Sequence, residues 1–238
     1  IDAALEDPNG LLAVGGELSV ERLLTAYRQG IFPWSEASQP ILWWSPNPRA
    51  VIEPQNVYVS RSLRKSMRRD NYALRINTAF DAVIRACAGT RDNEQGTWIT
   101  AAMIEAYCEL NRLGHAHSLE VWHKQELVGG LYGVAVGKLF CGESMFYRRR
   151  DASKIAFVAL CYLLAQQQWP LIDCQVLNPH LQSLGVTTVS RNEFKAYLPA
   201  ANCPGTKKHP GSNNDPMRMP DWQSLPFRNS AELEQMLP

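Results

Sequence analysis

The strongest chemical signal lies in the apolar run Pro170-Leu171-Ile172-Asp173-Cys174-Gln175-Val176, which reads as a buried strand yet carries a carboxylate and an amide. Residues two apart on a strand share a face, so Asp173 and Gln175 are expected as a pair. Left without partners, such groups cost about 1–3 kcal/mol each, so a hydrogen-bond network or a substrate must satisfy them. A structural hydrogen bond and a functional pair are both open on these residues alone. Glu143 poses the same question within Cys141-Gly142-Glu143-Ser144-Met145-Phe146. Apolar neighbours raise a carboxyl's pKa or demand a cation, unless the side chain faces solvent at a sheet end.

A second signal is electrostatic. The 238 residues carry 24 basic and 23 acidic side chains, a balance that by itself points to no polyanion. Between Tyr58 and Arg75, however, six basic residues stand against one acid, Asp70. Arg61, Arg64, Lys65, Arg68 and Arg69 follow helical spacing, which gathers them on one face. Like charges at i,i+4 repel, so the stripe is costly unless something anionic lies against it. A phosphate backbone would serve, and an ordinary solvated face is the alternative.

Other chemistries are excluded. Six cysteines occur without a C-x-x-C pair, so neither a zinc ribbon nor a thioredoxin-like motif is expected, and a reducing cytoplasm is. No G-x-S-x-G, H-E-x-x-H or P-loop is present. His115 and His117 lack matching ligands at metal spacing and are expected to be structural. The longest apolar run, the eleven residues Ile155 to Ala165, is too short for a membrane helix of roughly 20. Residues Ile1 to Glu6 show no secretory leader pattern.

The elements that must position these groups follow from periodicity and punctuation. Ser19 predicts the start of a short helix through Leu23, Leu24 and Tyr27 that stops at Gly30. Pro46 and Pro48 predict irregular chain and a boundary near residue 48, with a small domain over 1–48 and a larger one over 49–238. Of the three tryptophans Trp34, Trp43 and Trp44, two are expected to pack a core. Helices are predicted over Arg61–Arg69, over Ala79–Ala88, and from the Thr100 cap to the stop at Gly114. A three-stranded antiparallel meander follows, with turns at Lys124-Gln125 and Val136-Gly137-Lys138. Asp151 or Ser153 then caps a long apolar helix to about Gln168. After the strand at Asp173 come short helices around His180–Leu184 and Arg191–Leu198. From Pro199 onward seven of the 15 prolines predict irregular chain, with a short helix after Ser230.

Meander, long helix, strand and helix is the core order of acetyltransferase-like (GNAT-type) folds. The expected class is α+β, with a small N-terminal domain and a central mixed sheet flanked by helices. Those enzymes use a glycine-rich turn to cradle the coenzyme A pyrophosphate. Here Arg148-Arg149-Arg150-Asp151-Ala152-Ser153-Lys154 stands in its place, without a glycine. A coenzyme A-dependent N-acetyltransferase is therefore the alternative reading, not the leading one.

Six motifs in order carry a resemblance: Gly30-Ile31-Phe32-Pro33-Trp34, Trp43-Trp44-Ser45-Pro46, Gly96-Thr97-Trp98-Ile99-Thr100, Gly114-His115-Ala116-His117-Ser118, Gly142-Glu143-Ser144-Met145-Phe146 and Asp173-Cys174-Gln175-Val176. Together they resemble the bacterial leucyl/phenylalanyl-tRNA–protein transferases from about Asn9 to Leu184. The resemblance implies an aminoacyltransferase that moves Leu or Phe from aminoacyl-tRNA to proteins beginning with Arg or Lys, marking them for degradation. It implies no metal and no coenzyme. Asp173 and Gln175 then match the catalytic pair, with Glu143 holding the reacting end. Trp34, Trp98, Phe140, Met145, Leu160 and Ile172 match the aminoacyl-adenosine pocket. Asp173 would accept or relay the proton while Gln175 orients amine and carbonyl, and the basic helix from Arg61 to Arg69 would track acceptor-stem phosphates. A monomer in the cytoplasm, with no membrane partner, completes the expectation. A noncatalytic tRNA-binding module would leave Asp173, Gln175 and Glu143 unused, and a peptidoglycan-building aminoacyltransferase would differ in its acceptor.

Overall fold

The computed structural model describes residues 1–89, 98–202, 222 and 224–238. Strand β1 (Leu11–Val14), helix α1 (Val20–Arg28), β2 (Phe32–Pro33) and β3 (Leu42–Trp44) open the chain, and the strands form a small antiparallel sheet in the order β1-β3-β2. Leu23, Leu24 and Tyr27 bury one face of α1 as predicted, although the Ser19 side chain makes no capping bond. Trp43 is buried and Trp44 half-buried, whereas Trp34 is 45% exposed.

Next come β4 (Arg49–Ile52), a 3₁₀ turn (Pro54–Asn56), α2 (Arg61–Asp70), β5 (Ala73–Ile76), α3 (Phe80–Gly89) and α4 (Ala101–Arg112). The meander is β6 (Ala116–His123), β7 (Glu126–Val136) and β8 (Leu139–Tyr147), with both turns where the sequence puts them. Helix α5 (Ala152–Gln166) leads to β9 (Leu171–Gln175), followed by α6 (Pro179–Gln182), β10 (Thr187–Val189), α7 (Arg191–Lys195), α8 (Leu198–Ala201) and α9 (Ser230–Met236). Most of the proline-rich stretch, with Cys203, lies outside the described residues, as do Gly96 and Thr97. Among the described residues no helix is long and apolar enough to cross a membrane.

The large sheet runs β10-β4-β9-β8-β7-β6-β5 and is mixed: β8 and β9 pair in parallel, the other neighbours antiparallel. A parallel pair needs a long crossover, and α5 supplies it. Alternation sends Phe140 and Ile172 into the layer under α5, with Leu131, Phe157 and Leu160. Leu139 and Leu171 enter the opposite layer, with Leu23, Val83 and Tyr107 from α1, α3 and α4. The site thus sits in a central mixed sheet flanked by helices, next to a small N-terminal sheet.

The prolines at 46 and 48 keep residues 45–48 irregular as predicted, and the interior strand β4 begins immediately after Pro48, at Arg49. Of the two cap candidates for α5, Asp151 holds the N-cap position, with left-handed backbone (φ 63°) and no side-chain bond, and Ser153 is buried inside the first turn. Thr100 does cap α4, accepting from the Met103 N–H at 3.2 Å, and Gly114 ends it with φ 79°. The start of α3 is held by buried Glu120 of β6, which accepts from the Thr78 and Ala79 N–H groups at 2.9 Å each.

Candidate active site

Strands β8 and β9 pair at only three positions, Leu139 with Leu171, Phe140 with Ile172 and Cys141 with Asp173, and then part. Each strand is bulged at the parting point. On β8, Gly142 pairs with Gly133 and Ser144 with Tyr132, which leaves Glu143 as the extra residue. On β9, Asp173 pairs with Val51 and Gln175 with Ala50, which leaves Cys174 extra. A bulge bends its strand and re-aims a side chain. Gly133 is required here, since a Cβ would lie 2.3 Å from the Cys141 carbonyl oxygen.

Into this parting opens a cavity of about 300 Å³, at the small end of the roughly 300–1,000 Å³ typical of ligand pockets. All six residues predicted for the apolar pocket line it: Trp34, Trp98, Phe140, Met145, Leu160 and Ile172. Trp34 stands over the mouth with its ring 5.9 Å from that of Trp44, whose indole N–H donates to the Trp34 carbonyl at 2.6 Å. Its polar lining includes Glu143 and Gln175, with Tyr132, Ser144, Asn178 and His180.

Glu143 is 8% exposed and central to a hydrogen-bonded chain. The Gln175 amide nitrogen donates to its Oε1 at 2.7 Å, and the Tyr107 hydroxyl donates to its Oε2 at 3.0 Å. Tyr27 in turn shares a short hydrogen bond with the Tyr107 hydroxyl. Burial pushes the Glu143 carboxyl up to about 7, against the opposing pull of hydrogen bonds from Tyr27, Tyr107 and Gln175 and with help from the Asp173 charge. Burial holds both tyrosines well above their usual range, so they remain donors. A carboxyl that titrates near neutrality beside an apolar cavity is equipped to accept and return a proton.

Asp173 does not share that wall. Like Leu171 it points to the opposite layer, 1% exposed, where Arg49 grips it through Nε–Oδ1 and Nη2–Oδ2 contacts of 2.7 Å each. The same-face expectation fails because Gln175 leaves regular strand geometry: its φ of 63° is left-handed and turns its side chain to the cavity. The two residues still touch, since the Gln175 backbone N–H donates to Asp173 Oδ1 at 2.9 Å.

The basic stripe also differs from expectation. Its anionic neighbour is already present, because Glu234 of α9 pairs with Arg68 at 2.7 Å and Arg64 at 3.6 Å. Arg69 pairs with Asp70 at 2.7 Å. Among the described residues Arg61 and Lys65 make no ion pair and are exposed. His117 is buried and stacks on Trp222 at 3.9 Å, with burial driving it down to about 3, so it is a neutral packing residue. Among the described residues no three His, Cys, Asp or Glu side chains converge as a metal site, and five cysteines are free thiols.

Sequence patterns alone do not reveal Arg49, Tyr27 or Tyr107 as site residues. Tyr27 and Tyr107 fall on apolar helical stripes and read as packing. The one signal for Arg49 is its place as a charge opening the run Arg49-Ala50-Val51-Ile52, buried at all four positions.

Comparison with known proteins adds a family. Residues 51–199 match a family described as leucyl/phenylalanyl-tRNA protein transferase, and residues 16–47 match the N-terminal domain of the same family. A leucyl/phenylalanyl-tRNA–protein transferase of Idiomarina loihiensis is 56% identical over 195 residues, covering 82% of this chain and 83% of that one. One from Pseudomonas fluorescens is 56% identical over 198 residues, 83% of this chain and 88% of that one. One from Shigella sonnei is 54% identical over 197 residues, 83% of each chain. A solved structure, L-PGS from Bacillus licheniformis, overlays with TM-score 0.37 and 12% identity over 68% of this chain and 52% of that one, too low to argue from.

Proposed function

The chain belongs to the leucyl/phenylalanyl-tRNA protein transferase family, and from that premise we propose that it moves Leu or Phe from aminoacyl-tRNA to the α-amino group of proteins beginning with Arg or Lys. The new N-terminus would mark those proteins for degradation, in the cytoplasm. The observation that carries this reading is the apolar cavity where β8 and β9 part, with the Glu143–Gln175 pair on its rim of polar atoms.

The chemistry demands little beyond positioning. The acceptor nitrogen attacks the carbonyl carbon of the donor ester; the amide C–N bond forms as the ester C–O bond breaks. The proton shed by the nitrogen passes to Glu143 and from there to the departing ribose oxygen. An unperturbed α-amino group titrates at about 7.7–8.0, so a useful share is neutral near pH 7. Gln175 orients the amine and carbonyl, and Asp173 holds Gln175 from behind; the proton goes to Glu143 because Glu143 lines the cavity, whereas Asp173 lies off its wall in the fork of Arg49. Trp34, Trp98, Phe140, Met145, Leu160 and Ile172 take the aminoacyl side chain and adenosine. One methylene is worth only about 1–3 kcal/mol in such a pocket, which suits a site that accepts both Leu and Phe.

Arg61 and Lys65, together with Arg64, Arg68 and Arg69 of the same helix, would meet acceptor-stem phosphates without reading sequence. Support for an acetyltransferase-like assignment comes from the antiparallel meander, the α5 crossover and the parting parallel strands. A boundary near residue 48 is supported by the separate small sheet before Arg49. The reading is tested by mixing Phe-tRNA with a peptide starting in Arg and one starting in Ala. Mass spectrometry should find one added Phe on the first alone; no addition to the Arg peptide overturns the reading.

A further inference from the structure

Arg49 is 1% exposed and does not line the cavity, yet it contacts Phe32, which does, and Asp173, which bonds the backbone of the lining residue Gln175. Behind the floor, its fork closes on Asp173, whose Oδ1 also accepts the Gln175 backbone N–H at 2.9 Å. That bond helps hold the left-handed backbone that turns Gln175 toward Glu143. Toward the roof, the guanidinium lies between the rings of Phe32 and Phe194, 4.8 Å from each centroid. Phe32 leads through Pro33 into Trp34 at the cavity mouth.

Packing alone does not account for this arrangement. A buried ion pair is often no more stabilising than apolar side chains of the same volume. Here the Arg49 Nη1 also has no hydrogen-bond partner among the described residues. What an apolar residue could not do is fix a carboxylate at one orientation while keeping a flat face between two rings. We propose that Arg49 is a positioning residue of the transfer reaction, holding the Gln175 amide against Glu143 through Asp173 and the Trp34 roof through Phe32. The proposal rests on the reading of the cavity given above.

The test uses the full chain with Phe-tRNA and an Arg-starting peptide, both saturating, in single-turnover transfer. Lysine keeps the charge but loses the fork and the flat face. Arg49→Lys should slow transfer about 100-fold, with any loss of donor affinity through the Trp34 roof much smaller than the loss of rate. Asp173→Asn should cost a comparable factor, and the double variant no more than the worse single one, because both act on one amide. Losses that multiply independently, or a loss confined to donor affinity, overturn the proposal. Should Arg49→Lys fail to fold by circular dichroism, Phe194→Leu decides, since it keeps the ion pair and removes one ring face. That variant should be slower by about threefold or more, and a folded Phe194→Leu at the wild-type rate overturns the proposal. A wild-type chain that adds no Phe sinks the functional reading and this one with it, whereas an active wild type with an unimpaired Arg49→Lys sinks this one alone.

Discussion

The Gln175 amide nitrogen reaches Glu143 Oε1 at 2.7 Å across the opening where β8 and β9 part. Neither side chain would point there on an unbroken strand. Glu143 is the surplus residue of a bulge, and Gln175 carries left-handed backbone. Irregularities of this kind at the centre of a sheet re-aim side chains, and here they bring a carboxyl and an amide to one apolar cavity.

The raised Glu143 carboxyl has a consequence for stability. Its ordinary pKa is 4.5 and the folded value is about 7, so the folded state binds the proton more tightly than the unfolded one. Stability from this group is therefore fully present below pH 4.5 and is lost as pH rises through about 7. Glu143→Gln lacks that loss. Relative to the variant, the wild type should weaken by about 3 kcal/mol between acid and mildly alkaline pH. Urea unfolding of both proteins across that range checks it, and parallel stability curves would refute it.

The same residues show how far the sequence can be read. The α+β class, the meander and the long crossover helix follow from periodicity and punctuation, whereas the six residues expected around the pocket come from the family resemblance alone. Glu143 stands out because an acid in Cys141-Gly142-Glu143-Ser144-Met145-Phe146 needs an explanation. Period two places Asp173 beside Gln175, and one positive φ at Gln175 defeats it. A lone backbone angle leaves no trace in composition when the residue is not glycine. The role of Arg49 is hidden for another reason: its partners Asp173, Phe32 and Phe194 are far from it in sequence.

On the proposed reading, the size of the cavity limits which donor side chains are accepted. An indole at position 145 would have to share about 300 Å³ with the incoming side chain. Met145→Trp should slow Phe transfer by about 5–150-fold, in proportion to an overpacking cost of roughly 1–3 kcal/mol. Phe transfer at the wild-type rate would place the donor side chain elsewhere.

Phosphate binding should divide along the stripe. Replacing Arg61 and Lys65 with Ala removes the two cations of the stripe that make no ion pair among the described residues. Binding of Phe-tRNA should weaken, and its log–log salt slope should flatten by about 0.7–0.9 for each phosphate no longer neutralised. Glu234→Gln frees Arg68 and should tighten binding instead. Salt titrations that show no change in either variant would assign the stripe to solvent.

Glu120 tests a purely architectural role. It is fully buried and accepts from two backbone N–H groups at the start of α3 and from the Ser118 hydroxyl. Glu120→Ala should destabilise the fold by about 1–3 kcal/mol for each donor left buried and unpaired. Transfer per folded molecule should stay at the wild-type level. A thermal melt with a rate measurement at low temperature separates the two, and a loss of rate without a loss of stability would contradict this assignment.

The central claim is that Glu143, at the parting of β8 and β9, takes the proton as the peptide bond forms. Its most direct test is single-turnover transfer of Phe by Glu143→Gln, with donor and acceptor saturating. The rate should fall by about 100-fold or more while Phe-tRNA still binds as it does to the wild type. Transfer at the wild-type rate by a folded Glu143→Gln would contradict the account.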